Sequence, residues 1–346
     1  MDPTLSPGSG APVTDDAFVS TGELPQPDII RAQLDIAHQR FAAIDEGANS
    51  SVYPALAAVP RDLFGICIAG VAGGVYAVGD AERPFAIMSV SKPFVFALVC
   101  GVLGSEEVRE RLGVNATGFP FNSVVAVEFA SDHRTNPMVN SGALATTSLA
   151  PGASSAAKWH FLHDGLSRFA GRELTVNDEV YASATATNGR NRALAQLLES
   201  HGRLFADAAT TTDLYTRQCS LDVTARDLAV MGATLANGGV NPVTGERVVG
   251  PGCSKRTLAV MATAGLYETS GDWQYDIGLP GKSGIGGGIV TVAPGKGGFG
   301  AFAPPLDGAG NSVKGQRAAR FLSERLGLNL FASQPVASPL HTGDTA

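Results

Sequence analysis

Short apolar runs of strand length stand at both ends of this sequence and enclose a long helical middle. That layout restricts the fold more than any other feature. Phe64 to Ala69 and Gly74 to Val78 are joined by a glycine turn and read as a hairpin, and Gly288 to Val292 and Gly298 to Ala303 read as further strands. From about Pro93 to Leu235 the pattern is mostly helical, most clearly over Ser105 to Leu112 and Arg190 to Leu198. Outside the strands, Ile30, Leu34, Ala37, Phe41 and Ile44 recur at helical spacing between Asp28 as start and Gly47 as stop, and a last helix is expected over Ser312 to Leu326. An α+β fold follows, with a sheet assembled from both chain ends and a helical lobe inserted. A site between the lobes would gather residues that are distant in sequence.

Composition sets the class of partner. The chain has 346 residues, 44% hydrophobic and 16% charged, enough for one large domain or two interleaved lobes. A net charge of −7 with no block of lysine or arginine argues against nucleic-acid and anionic-membrane surfaces and for a small-molecule partner. The segment Met1 to Thr14 has neither the basic start nor the apolar stretch of a signal peptide, and no run of about twenty apolar residues is long enough to cross a membrane. Cys67, Cys100, Cys219 and Cys253 are scattered without metal-ligand spacing and read as reduced core residues in a cytoplasmic protein. The expected layout is a single domain of two lobes over 27–330, between disordered tails at 1–26 and 331–346.

The chemistry-bearing pattern is Ser89-Val90-Ser91-Lys92, with Lys282-Ser283-Gly284 far along the chain. A chain of this length contains about one serine three places before lysine by chance, and Ser155 to Lys158 is a second. Context separates them. Ser89 follows the apolar run Phe85-Ala86-Ile87-Met88 and precedes a helix opened by Lys92-Pro93, so serine and lysine share one face. A lysine whose charge is disfavoured by burial can act as base toward that hydroxyl. The plainer reading is that Ser89 caps a helix. Ser155 lies in a polar loop that reads as a helix start, with Lys158 facing solvent.

Several further runs carry a family resemblance. Phe85 to Lys92, Phe121-Asn122-Ser123, Asn136-Pro137-Met138-Val139-Asn140-Ser141-Gly142-Ala143, Gly189-Arg190-Asn191-Arg192-Ala193, Tyr215 to Ser220, Leu235 to Gly239, Gly265-Leu266-Tyr267, Gly278 to Ile289 and Gly310 to Val313 resemble, in order and spacing, the serine-dependent glutaminases over about residues 29 to 327. The resemblance implies a β-lactamase and transpeptidase-like fold. It also implies hydrolysis of glutamine to glutamate and ammonia without metal or other cofactor, in a homodimer or homotetramer. It assigns Ser89 as nucleophile, Lys92 as its base, the backbone N–H groups of Ser89 and Ile285 as oxyanion hole, Tyr267 as proton shuttle and Tyr215 as a second site tyrosine. Asn140 and Asn191 match substrate-binding positions, and Lys282, Ser283 and Gly284 support the site.

Three positions depart from that pattern, all in substrate recognition. Ala184 replaces a glutamate expected to hold the α-ammonium, with Asp178 and Glu179 as the acids nearest to compensate; Met88 replaces a glutamine; and Val52 replaces a lid tyrosine, with Tyr53 one place along. Asn115-Ala116-Thr117-Gly118 differs for structural reasons. The readings left open are a glutaminase, a hydrolase of a different small amide, and a binding protein that kept the fold. Two other signals have plain readings. His160 and His163 lack a third metal ligand, and the glycine run Gly284 to Gly288 leads into a strand, unlike a dinucleotide loop. Asn191 could equally serve a helix start.

Overall fold

The computed structural model describes residues 22–333, so most of both expected tails lies outside the described residues. Of the part that is described, Leu24 packs against the core. Five antiparallel strands form the main sheet: β1 Gly65–Gly70, β2 Val75–Gly79, β6 Gly281–Ser283, β7 Gly288–Ala293 and β8 Gly297–Phe302, in the order β2-β1-β8-β7-β6. The two chain ends meet where β1 pairs with β8, in register from Gly65 opposite Phe302 to Gly70 opposite Gly297. A smaller sheet, β3 Phe85–Ala86, β4 Thr175–Val176 and β5 Leu221–Val223, has β5 in the middle and links the sheet region to the helical one.

Helices cover both faces of the main sheet. On one face lie Pro27–Phe41 and Val313–Arg325. Burial of Ile30, Leu34 and Phe41 against this face contributes roughly 5–8 kcal/mol. On the other face Ala225–Ala236 sits directly on β8, because Gly298 and Gly300 present no side chain there. A Cβ at Gly300 would come within 2.1 Å of the Ala225 carbonyl oxygen, and one at Gly298 within 2.4 Å of that of Ala229. Among the described residues no helix is long and apolar enough to cross a membrane.

Three expectations are corrected. The first helix runs Pro27–Phe41, not from Ile30 to Ile44: Pro27 occupies its first turn, where a missing N–H costs nothing, and Asp28 lies inside that turn as an acidic residue. The chain leaves the helix at Ala42, so Gly47 does not end it. Lys158 does not face solvent. It is half-buried and donates to the Ala150 carbonyl, just past the helix Asn140–Ser148, where carbonyls lack helical partners.

Candidate active site

Ser89 is placed by a short sequence of local constraints. Strand β3 ends at Ala86, and Ile87 N–H donates to the Leu221 carbonyl at 2.8 Å, tying the segment to β5. Met88 then adopts φ 48°, a left-handed conformation that costs a side-chain-bearing residue about 1–2 kcal/mol. One 3₁₀ turn, Met88–Val90, leads into the helix Ser91–Leu103, whose first ten residues are all buried. Strained backbone next to a nucleophile candidate is a functional signature, and Tyr267, at φ 58°, is another of the three side-chain-bearing residues in this conformation among the described residues.

Ser89 stands on the wall of a cavity of about 260 Å³ together with Asn140, Ala184, Asn191, Tyr215 and Ile285. Lys92 lies behind that wall, 1% exposed, one helical turn from Ser89. Its Nζ donates to the Asn140 Oδ1 at 2.7 Å and to the Met138 carbonyl at 3.3 Å, and no carboxylate among the described residues pairs with it. Burial therefore lowers its pKa from 10.5 to about 7. At neutral pH a large fraction of Lys92 is the free amine, which can accept a proton.

The motif Asn136 to Gly142 makes this arrangement. The Asn136 Oδ1 accepts from the Met138 N–H at 2.9 Å, closing a turn that aims the Met138 carbonyl at Lys92, while its Nδ2 donates to the Asn115 carbonyl at 2.9 Å. The last bond gives the variant Asn115 loop its structural part. Gly142 lets the helix Asn140–Ser148 start against that turn: a Cβ there would fall 1.9 Å from the Asn136 carbonyl oxygen. Asn140 then sits in a polar chain, donating to the Asn191 Oδ1 at 2.9 Å and accepting from Tyr215 Oη at 3.4 Å. Asn191, three residues into Gly189–Ser200, thus faces the site and does not cap its helix.

The loop after β6 closes over Ser89. Gly284 and Gly286 permit the approach, since a Cβ at Gly284 would lie 3.3 Å from the Ser89 nitrogen and one at Gly286 2.7 Å from the Ala86 carbonyl oxygen. Among the described residues, neither the Ser89 nor the Ile285 N–H donates to a backbone carbonyl, as donors aimed at a ligand oxygen require. Tyr267 is buried, and its hydroxyl donates to the Ser283 carbonyl at 3.0 Å. Burial raises its pKa, an effect opposed by the neighbouring Ser89 hydroxyl. Tyr215 is also held protonated by burial. Lys282 is fully buried and lines no part of the cavity. It donates to the Gly265 and Ser283 carbonyls at 2.8 and 2.6 Å, with Nζ 4.2 Å from the Tyr267 ring centroid. Burial, and then Lys92, depress its pKa well below the ordinary value. Lys282 and Ser283 therefore fix Tyr267 from behind.

The ten positions singled out in the sequence converge here; Ser155 and Lys158 lie elsewhere. Sequence reasoning missed Cys219, which lines the cavity and whose thiol burial pushes up to about 11, against the pull of Lys92. It also missed Phe121, whose ring lies tilted against that of Tyr267 with centroids 4.5 Å apart. Val52 stands exposed at the mouth, whereas Tyr53 is buried in the wall. Asp178 and Glu179 are exposed in the first turn of Asp178–Thr187 and do not reach the cavity, so neither replaces a carboxylate at Ala184. His163 bonds the Leu174 carbonyl at 2.6 Å, and with His160 borders a shallow cleft remote from Ser89.

Comparison with known proteins agrees with this geometry. Residues 47–331 match the family model named Glutaminase. The chain is 65% identical over 318 residues to "Glutaminase 2" of Yersinia pestis, covering 92% of this chain and 94% of that one. It is 46% identical over 307 residues to a glutaminase of Colwellia psychrerythraea, covering 89% and 99%. A solved structure of a probable glutaminase, ybaS, superimposes with TM-score 0.88 at 42% identity over 89% of this chain and all of that one. Mglu in its glutamate form does so with TM-score 0.84 at 37% identity, covering 90% of this chain and 71% of that one. Their β-lactamase-like α+β fold is the fold found here. By family model, by sequence and by structure, the chain belongs to the glutaminase family.

Proposed function

We propose that this chain hydrolyses the side-chain amide of L-glutamine to L-glutamate and ammonia through an acyl-enzyme on Ser89. The observation that carries the reading is a fully buried, carboxylate-free Lys92 one turn from a serine on the cavity wall. Lys92 takes the Ser89 proton as Oγ attacks the amide carbon, and the Ser89 and Ile285 N–H groups receive the negative charge on the tetrahedral oxygen. Tyr267, adjoining Ser89, passes a proton to the departing nitrogen, so the C–N bond breaks as ammonia leaves. Water then attacks the ester by the same route reversed. Asn140, Asn191 and Tyr215 hold the substrate, and Lys282, Ser283 and Gly284 hold the groups that act.

The working form in this reading is a cytoplasmic homodimer or homotetramer with one two-lobed catalytic domain over 27–330. All four cysteines are unpaired, which suits a reducing compartment. The test is ammonia release from L-glutamine by the purified protein, with Ser89→Ala as the blank. The substitution is expected to lower kcat by about 10⁴-fold or more. A variant that keeps a tenth of the rate, about 1.4 kcal/mol in barrier, overturns the assignment.

A further inference from the structure

Among the described residues, the cavity wall offers a cation no carboxylate. Of the side chains lining it among the described residues, Arg190 alone carries charge and none is a carboxylate. Lys92 and Lys282 are buried behind the wall. The acids of the surrounding elements are directed elsewhere. Asp178 and Glu179 are exposed, Asp213 is held by Tyr181 and Arg217, and Glu268 points to solvent beyond Tyr267. Where a cationic group of the substrate would need a partner, the wall offers Ala184, 3% exposed, and Met88, both of them apolar.

An ammonium entering this space would give up its hydration and find no carboxylate among the described lining residues, which is costly whatever else the substrate contacts. A carboxylate fares better. Arg190, tied to the Asn122 carbonyl at 3.2 Å, presents its fork at the mouth, and Asn191, whose Oδ1 is occupied by Asn140, has its amide nitrogen left to donate.

We propose that this cavity does not select for an α-ammonium, and that its substrates include anionic primary amides without an amino group, the ω-monoamides of short dicarboxylic acids, used at least as well as L-glutamine. The inference rests on the reading of the site as an amide hydrolase. The chemistry is unchanged: the Ser89 Oγ–C bond forms, the C–N bond breaks, ammonia leaves carrying the serine proton, and water cleaves the ester to release the dicarboxylate.

Two measurements separate the selectivity from the hydrolase reading. The first compares kcat/KM for glutaramate and L-glutamine by ammonia release. The second measures, by calorimetry on the Ser89→Ala protein, binding of the corresponding products, glutarate and L-glutamate. Glutaramate is expected to match or exceed glutamine, and glutarate to bind at least as tightly as glutamate. Ala184→Glu should then shift both ratios toward the amino acid by about tenfold or more, because it returns a counter-charge to the wall. A wild-type preference for glutamine, or for glutamate, above about tenfold overturns the inference while leaving the hydrolase intact. Silence toward both amides with glutarate still preferred overturns the hydrolase and leaves the selectivity standing. No turnover together with no binding of either diacid overturns both.

Discussion

Lys92→Met separates the two consequences of burying this lysine. The methionine keeps most of the volume and removes the amine. For activity, loss of the base should lower kcat by about 10²–10⁴-fold. For stability, the sign depends on pH. The folded-state pKa, about 7, lies below the ordinary value of 10.5, so between these limits the unfolded chain binds more protons and folding stability rises with pH. Below pH 7 the folded protein carries the full penalty of a buried charge, about 5 kcal/mol for the fall from 10.5 to about 7. The methionine variant lacks this dependence. It leaves the Met138 carbonyl unpaired and removes one of the two donors to the Asn140 Oδ1, at a cost of about 1–3 kcal/mol. The wild type should therefore gain about 2–3 kcal/mol on the variant between pH 6 and pH 9. The assay is urea unfolding of both proteins at a series of pH values, together with the wild-type pH profile of kcat/KM. That profile should rise through about pH 7 as Lys92 loses its proton. Parallel stability curves for the two proteins and a flat rate profile from pH 6 to 9 would refute the argument.

Asn140→Ala removes the acceptor of Lys92 and the donor to Asn191 at once, and should lower kcat/KM by about 2–4 kcal/mol, more than Asn191→Ala does, as steady-state kinetics would resolve. Gly286→Ala forces a Cβ to within 2.7 Å of the Ala86 carbonyl oxygen, displacing the Ile285 N–H; kcat should fall by about 10²-fold with Tm little changed. Gly300→Ala, with its Cβ 2.1 Å from the Ala225 carbonyl oxygen, should instead lower Tm steeply, because it parts the helix Ala225–Ala236 from β8 far from Ser89. Tyr267→Phe keeps the ring between Phe121 and Lys282 and removes the hydroxyl, so kcat should fall by about 10²-fold or more while the urea midpoint holds.

Four of the five strands of the main sheet were legible because each apolar run is bounded by glycine, and the two-lobe layout followed from their positions in the chain; β6, Gly281–Ser283, has no apolar run to mark it. The strand order was not legible, because placing β8 between β1 and β7 depends on contacts made across most of the sequence. The small sheet that carries Ser89 into place has strands of two or three residues, too short for any periodicity to register. Ser89 and Lys92 were visible through their spacing, but the burial that makes Lys92 a base, and the acceptors Met138 and Asn140 that hold its Nζ, come only with the fold. Lys158 looked solvated because a polar loop opens its helix, and nothing local announced the Ala150 carbonyl that captures it. Cys219 looked like a core residue and is one on most sides; its exposure to the cavity follows from where the helix Ala208–Cys219 ends.

The central claim is that turnover passes through a covalent bond at Ser89. The most direct measurement is peptide mass mapping of protein acid-quenched during steady-state turnover of L-glutamine. The account predicts a glutamyl group on the peptide that bears Ser89, absent from Ser89→Ala. Full turnover by Ser89→Ala, or a glutamyl group located on any other residue, would contradict it.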